Sequence, residues 1–254
     1  MALLLGVMRH EAGLMRREEF LPLVLLYPLA IAIVMQMVIG VGQRPDLGSF
    51  AVVGPWLVGV WQLANLVAGE TLNKERHAAT LEPLVAAPAS TIIVLTAKVG
   101  TVSLVSLLGL LEAVAVAAAF GRPVTVHHPL VLLWGGVLTL VAATATSLVL
   151  VALYVASRSA RTYQNSISYP VLVLGGAIVP VSVLPEWVQP LSRLIFLSWA
   201  NDLVRASFSP GPAGGVVLAS LALIALTLAG GGLGGWLVHR ALRRARVDGS
   251  LALA

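Results

Sequence analysis

Residues 70–82 read ETLNKERHAATLE, an island of charge between two long apolar runs. The runs on either side are long enough to sit in lipid as helix, where a charged island would be costly. The island must therefore meet water or a partner protein. The rest of the chain is organised around that requirement.

Composition sets the class. Apolar residues make up 58% of the 254-residue chain and charged residues 11%, with a mean hydropathy of +0.94. Soluble domains carry roughly 25% charged residues, so this balance predicts an all-α integral membrane protein. The absence of cysteine excludes disulfides and thiolate chemistry. The net charge of +5 does not imply nucleic acid, because the basic residues flank apolar segments instead of forming a phosphate-binding face.

A hydrocarbon core about 30 Å thick needs roughly 20 apolar helical residues. Uncharged windows cover 20–43, 47–69, 123–157, 162–185 and 206–239, and Ser90 to Phe120 is interrupted only by Lys98 and Glu112. Six transmembrane helices are expected near 21–42, 50–69, 91–119, 129–156, 167–183 and 213–239. With both termini cytoplasmic, twelve Lys and Arg fall inside and only Arg44, Arg122, Arg193 and Arg205 outside. That positive-inside bias predicts a multi-pass cell-membrane protein with both ends in the cytoplasm.

Residues 1–19 form a separate element. Leu3, Leu4, Val7, Met8, Leu14 and Met15 share one helical arc, and Arg9, His10, Arg16 and Arg17 the opposite one. This suits an amphipathic helix in the inner headgroup layer, although Glu11 falls in the apolar arc. A solvated leader before the first span is the alternative.

The segment 70–88 carries its own start and stop signals. Thr80 is a good N-cap, Glu82 is favoured by the helix dipole, and Pro83 is tolerated in a first turn. Pro88 closes the segment. A short helix presenting Leu81, Leu84 and Val85 could plug a groove on another protein; an ordinary loop is equally compatible with the residues.

Glu75-Arg76, Thr80-Leu81-Glu82, Leu84, Pro88 and Lys98 together resemble the ABC-2 type permeases, the membrane subunits of one class of ATP-binding-cassette exporters. A second match lies in GGAIVPVSVLPEWVQPLSRLIFLSWANDLVR, through Gly175-Gly176, Pro180, Leu184-Pro185, Trp187 and Arg205. Ala79 stands where that family usually has Gly, and Ser198 about where it often has Pro. The resemblance implies that 70–88 is a cytoplasmic coupling helix and 1–19 an interface helix beside it. Arg16, Arg17, Glu75, Arg76, Thr80, Leu81, Glu82 and Leu84 would then meet an ABC ATPase subunit. Two ATPase copies and a second permease chain, identical or homologous, would complete an exporter within the lipid bilayer. Its path would be lined mainly by the second and fifth spans.

No P-loop is present: the only lysines, Lys74 and Lys98, lack the glycine-rich context that cradles phosphates. The chain is therefore not expected to be an enzyme or to bind a cofactor; ATP and Mg would belong to the partner. No HExxH metal motif occurs either.

Between Ile178 and Gly211, four prolines interrupt a stretch too apolar for a solvated loop. Short re-entrant helices over 184–210 fit both facts, with Trp187 and Trp199 at headgroup depth; a surface loop is the alternative. Glu112 reads either as a partner of Arg193 or Arg205 in an outer gate or as an interfacial carboxylate. Trp61, Gln62 and Asn65 share a face of the second span and, with Tyr169, are candidates for the substrate path. Hydrogen bonding to a neighbouring helix is the commoner use of such residues. The glycines from Gly230 to Gly235 suggest close helix packing.

Three functions fit this pattern. The first is a permease for hydrophobic or amphiphilic molecules (drug, antibiotic or lipid), since only 6% of the chain is aromatic. An ion-coupled secondary transporter would be expected to show internal repeats and paired broken helices, and no convincing repeat is present. A haem-exporter-like permease of cytochrome assembly shares Thr-Leu-Glu but not the LPEW segment.

Overall fold

A computed structural model of the chain describes residues 20–77, 96–97, 100–101, 103–156 and 160–247. Among these there are eight α-helices and no strand. They are α1 (Phe20–Gly42), α2 (Phe50–His77), α3 (Leu107–Ala119), α4 (Pro129–Ala156), α5 (Ala160–Leu174), α6 (Gln189–Ser192), α7 (Phe196–Ala206) and α8 (Val216–Val247).

Helix α2 is the centre. It packs against α1, α3, α4, α5 and α7, and every residue from Phe50 to Trp61 is buried. Lipid tails are as apolar as leucine, so such packing gains little from the hydrophobic effect and relies on close van der Waals fit. Small residues supply the fit. The ring of Pro28 on α1 sits where a Cβ on Gly59 of α2 would come within 2.8 Å and one on Gly109 of α3 within 3.3 Å. At the far side, a Cβ on Gly234 of α8 would lie 2.7 Å from Leu148 Cβ on α4. The expected packing surface in the last span is therefore real at Gly234.

Hydroxyls inside the bundle are satisfied locally. Thr139, Thr144, Thr146 and Ser147 on α4 each donate to the carbonyl four residues earlier, at 2.7–2.9 Å. This lets polar residues lie in an apolar helix without an outside partner.

Helices α1 and α4 coincide closely with the expected spans. α2 continues as helix to His77, carrying the backbone of Glu75 and Arg76. α8 continues past Arg240 to Val247. The third span is broken at Ser106, whose Oγ donates to the Ser103 carbonyl at 2.6 Å.

The helix expected at 167–183 differs. α5 covers Ala160–Leu174 and stops there because Gly176 adopts φ +74° and Ala177 N–H turns back to the Leu172 carbonyl at 3.1 Å. Only glycine takes that conformation cheaply at a helix end.

Pro129–Tyr154 and Val216–Arg240 are each long and apolar enough to cross a bilayer, while Leu26–Gly42, Phe50–Leu66 and Ser103–Ala119 are shorter apolar helices. The amphipathic element 1–19 with Arg16 and Arg17, and Thr80, Leu81, Glu82 and Leu84 of the coupling segment, lie outside the described residues.

Candidate functional site

Asn65 of α2 is the meeting point of three helices. Its Nδ2 donates to Ser168 Oγ at 2.6 Å and to the Gln164 carbonyl at 3.3 Å, both on α5. Its Oδ1 accepts the Tyr154 hydroxyl from α4. Gln164 Nε2 returns a hydrogen bond to the Asn65 carbonyl at 2.9 Å. One turn away on α2, Trp61 Nε1 donates to Ser168 Oγ at 3.3 Å. Trp61 and Asn65 thus commit their polar atoms to neighbouring helices, the commoner of the two uses open to them.

Tyr154, Gln164 and Ser168 were not singled out from the sequence. The available signal was the run of polar residues 162–168 inside an otherwise apolar window, which calls for partners. Which residues supply them depends on the register of α5 against α2.

Anchoring one face of α5 turns the other outward. Tyr163, Asn165, Ser166 and Tyr169 are all exposed, Tyr169 at 65%. Gln62 is half-buried on the same turn of α2 as Trp61 and Asn65. The bundle therefore presents a polar, aromatic strip where a purely lipid-facing helix would be apolar.

The connections that follow α5 close over the same bundle. After the 3-10 turn Val181–Val183 come the two short helices α6 and α7. α7 buries Phe196, Leu197, Ala200, Leu203 and Val204 and packs on α4, α8 and α2. Asn201 Nδ2 ties it to the Gly176 carbonyl at 2.7 Å. His127 and His128 both donate backbone N–H to the Ser207 carbonyl at 2.9 Å, stitching the α3–α4 connection to the end of α7.

The expected link between Glu112 and Arg193 or Arg205 is not formed among the described residues. Arg193 Nη1 instead bonds Asp202 Oδ2 at 2.5 Å, and its guanidinium lies 4.6 Å over the Trp199 ring. Arg205 lies 5.8 Å from the Phe50 ring. The reason is proximity: Asp202 stands on the helix following Arg193. Glu112 lies two turns, roughly 10 Å, before the end of α3. Its Oε2 is buried without a hydrogen-bond partner, as are both side-chain polar atoms of Gln36 on α1 and Nε1 of Trp56 on α2. These three helices pack on one another.

An all-helical bundle packed through glycine and alanine fits a membrane protein. Residues 6–209 match the family model described as ABC-2 type transporter. The chain belongs to the ABC-2 type transporter family. Among curated proteins it is similar to Nodulation protein J of Sinorhizobium fredii (strain NBRC 101917 / NGR234), with 43% identity over 56 residues. That match covers 22% of this chain and 21% of the relative.

Proposed function

We infer that this permease serves an ATP-driven exporter of a hydrophobic or amphiphilic molecule, energised by a separate ATPase. The observation that carries the reading is the exposed strip of Tyr163, Asn165, Ser166 and Tyr169 on α5, held in place by the Asn65 anchor. A polar strip at membrane depth requires water, substrate or a second permease chain against it. A substrate with both apolar and polar parts suits a surface of tyrosines and amides.

In this reading six spans place both termini in the cytoplasm, and 184–210 re-enters the outer leaflet as a cap. The segment 70–88 couples to the ATPase, of which two copies serve two permease chains. Helix α2, 28 residues and about 42 Å long, runs unbroken from the outer connections to that segment. A tilt imposed at its inner end would reach Asn65 and move α5 with it. Export is the direction implied by the family's exporters.

The native chain has no cysteine, which makes the test direct. Tyr169→Cys and Asn165→Cys should react with a membrane-impermeant maleimide in intact vesicles, with rates that change when ATP is supplied to the ATPase complex. Leu221→Cys, on the apolar face of α8, should stay unreactive. Equal, low reactivity at all three positions would remove the basis for a path along α5.

A further inference from the structure

Two of the four arginines on the outer side are charge-paired: Arg44 with Asp46 at 2.8 Å and Arg193 with Asp202 at 2.5 Å. The other two, Arg122 and Arg205, have no carboxylate at ion-pair distance among the described residues. Both line a single cavity of about 480 Å³. It lies where the α1–α2 and α3–α4 connections meet the end of α7, and Ser49, Thr125 and Ser209 add hydroxyls to its wall.

Each arginine is positioned without being neutralised. Arg122 Nη1 donates to the Gln36 carbonyl at 2.7 Å. The guanidinium fits against α1 because residue 40 is glycine; a Cβ there would lie 2.6 Å from Nη2. Arg205 is held near the Phe50 ring, and its buried Nε has no acceptor. Asp202, one turn earlier on α7, is engaged by Arg193. The one acid in the wall, Asp46, is already bonded by Nε and Nη2 of Arg44 at 2.9 and 2.8 Å. The first turn of α2 opens beside Ser49 and adds the positive end of a long helix.

The cavity therefore combines two guanidinium groups, three hydroxyls and a neutralised acid, in a volume typical of small-ligand sites. Guanidinium forks match phosphate oxygens in geometry and charge, and two forks can share one tetrahedral oxyanion. We propose that this outer cavity binds a phosphate group, carried either by the headgroup of an outer-leaflet amphiphile or by a free small anion. Occupancy would bridge Arg122, after α3, to Arg205 on α7, fastening the cap to the bundle. The site stands apart from the α5 strip; its placement on the outer side rests on the topology of the proposed reading, while the cavity and its two arginines do not.

The test uses the full-length protein. Inorganic phosphate is titrated calorimetrically against protein in dodecyl maltoside, which carries no phosphate. In parallel, protein from nanodiscs containing phosphatidylglycerol is examined by native mass spectrometry for retained lipid. A calorimetric response in the detergent assigns the site to free anions; retained phosphatidylglycerol without a response assigns it to headgroups. Either result supports the proposal if Arg205→Gln weakens binding by about tenfold or more, as expected for losing a charge-assisted contact. Arg240→Gln, at an exposed position on α8 outside the cavity wall, should change binding less than about twofold. Arg122→Gln also loses its tether to α1, so Ser209→Asp at an exposed wall position serves as the second variant and should abolish binding. Absence of binding by wild type in both arms, or binding unchanged by Arg205→Gln and Ser209→Asp, would overturn the proposal.

Discussion

The hydroxyl of Tyr154 on α4 donates to Oδ1 of Asn65 on α2, while Nδ2 of the same asparagine holds Ser168 on α5 at 2.6 Å. One side chain fastens three helices. Side-chain hydrogen bonds between membrane helices contribute about 0.6 kcal/mol on average and up to about 1.7 kcal/mol. Tyr154→Phe should therefore cost about 1 kcal/mol and Asn65→Leu about 2 kcal/mol in reversible unfolding in mixed micelles. The double variant should lose less than the sum, since both remove the same bond.

Gly176 offers a test of the turn that ends α5. At φ +74° an added Cβ would meet Val181 Cγ2 at 2.8 Å and Asn201 Nδ2 at 3.2 Å. Gly176→Ala combines backbone strain with a clash, and a loss of about 2–3 kcal/mol is expected. Gly136→Ala, with nothing within 4 Å, should be nearly neutral in the same thermal denaturation measurement.

The α4–α8 contact makes a similar prediction. A Cβ at Gly234 would press on Leu148 Cβ at 2.7 Å and Val149 N at 2.8 Å, whereas Gly232 faces open space. Gly234→Ala should cost about 1–3 kcal/mol through overpacking and Gly232→Ala little or nothing. Comparison of the two melting temperatures in one detergent checks this.

The Arg44–Asp46 pair in the α1–α2 connection gives a pH signature. The Arg44 hydrogen bond holds the Asp46 carboxyl below its ordinary value. A depressed carboxylate stabilises the fold above its unfolded pKa, and that contribution fades as pH falls through the folded value. The pair should remain intact through the ordinary carboxylate range and open only at lower pH. Carbon-detected NMR titration of the Asp46 carboxyl should show this low midpoint, and Arg44→Gln should return it to the ordinary carboxylate range.

Much of the bundle was legible because lipid imposes simple rules. α1 and α4 follow from uncharged windows flanked by turn residues. The end of α5 was less legible. The apolar run continues to Val183, so composition favours a longer helix, and only the left-handed conformation of Gly176 stops it. Side-chain pairing was the least legible. Asp202 lies nine residues from Arg193, and their contact depends on the sharp turn between α6 and α7. Glu112 reads equally as a partner of Arg193 or Arg205 and as an interfacial carboxylate, because the distance between chain segments cannot be read from charge alone. Asn65 and Trp61 were visible as polar and aromatic residues on one helical face, but not whether that face met a neighbouring helix or a cavity.

Under the proposed function this chain is the membrane half of a machine driven by a separate ATPase. Affinity purification of the tagged protein in mild detergent, followed by identification of what accompanies it, tests this most directly. The account predicts an ABC ATPase with wild type and its loss with Leu81→Asp/Leu84→Asp. Folded wild-type protein that repeatedly purified alone would contradict it.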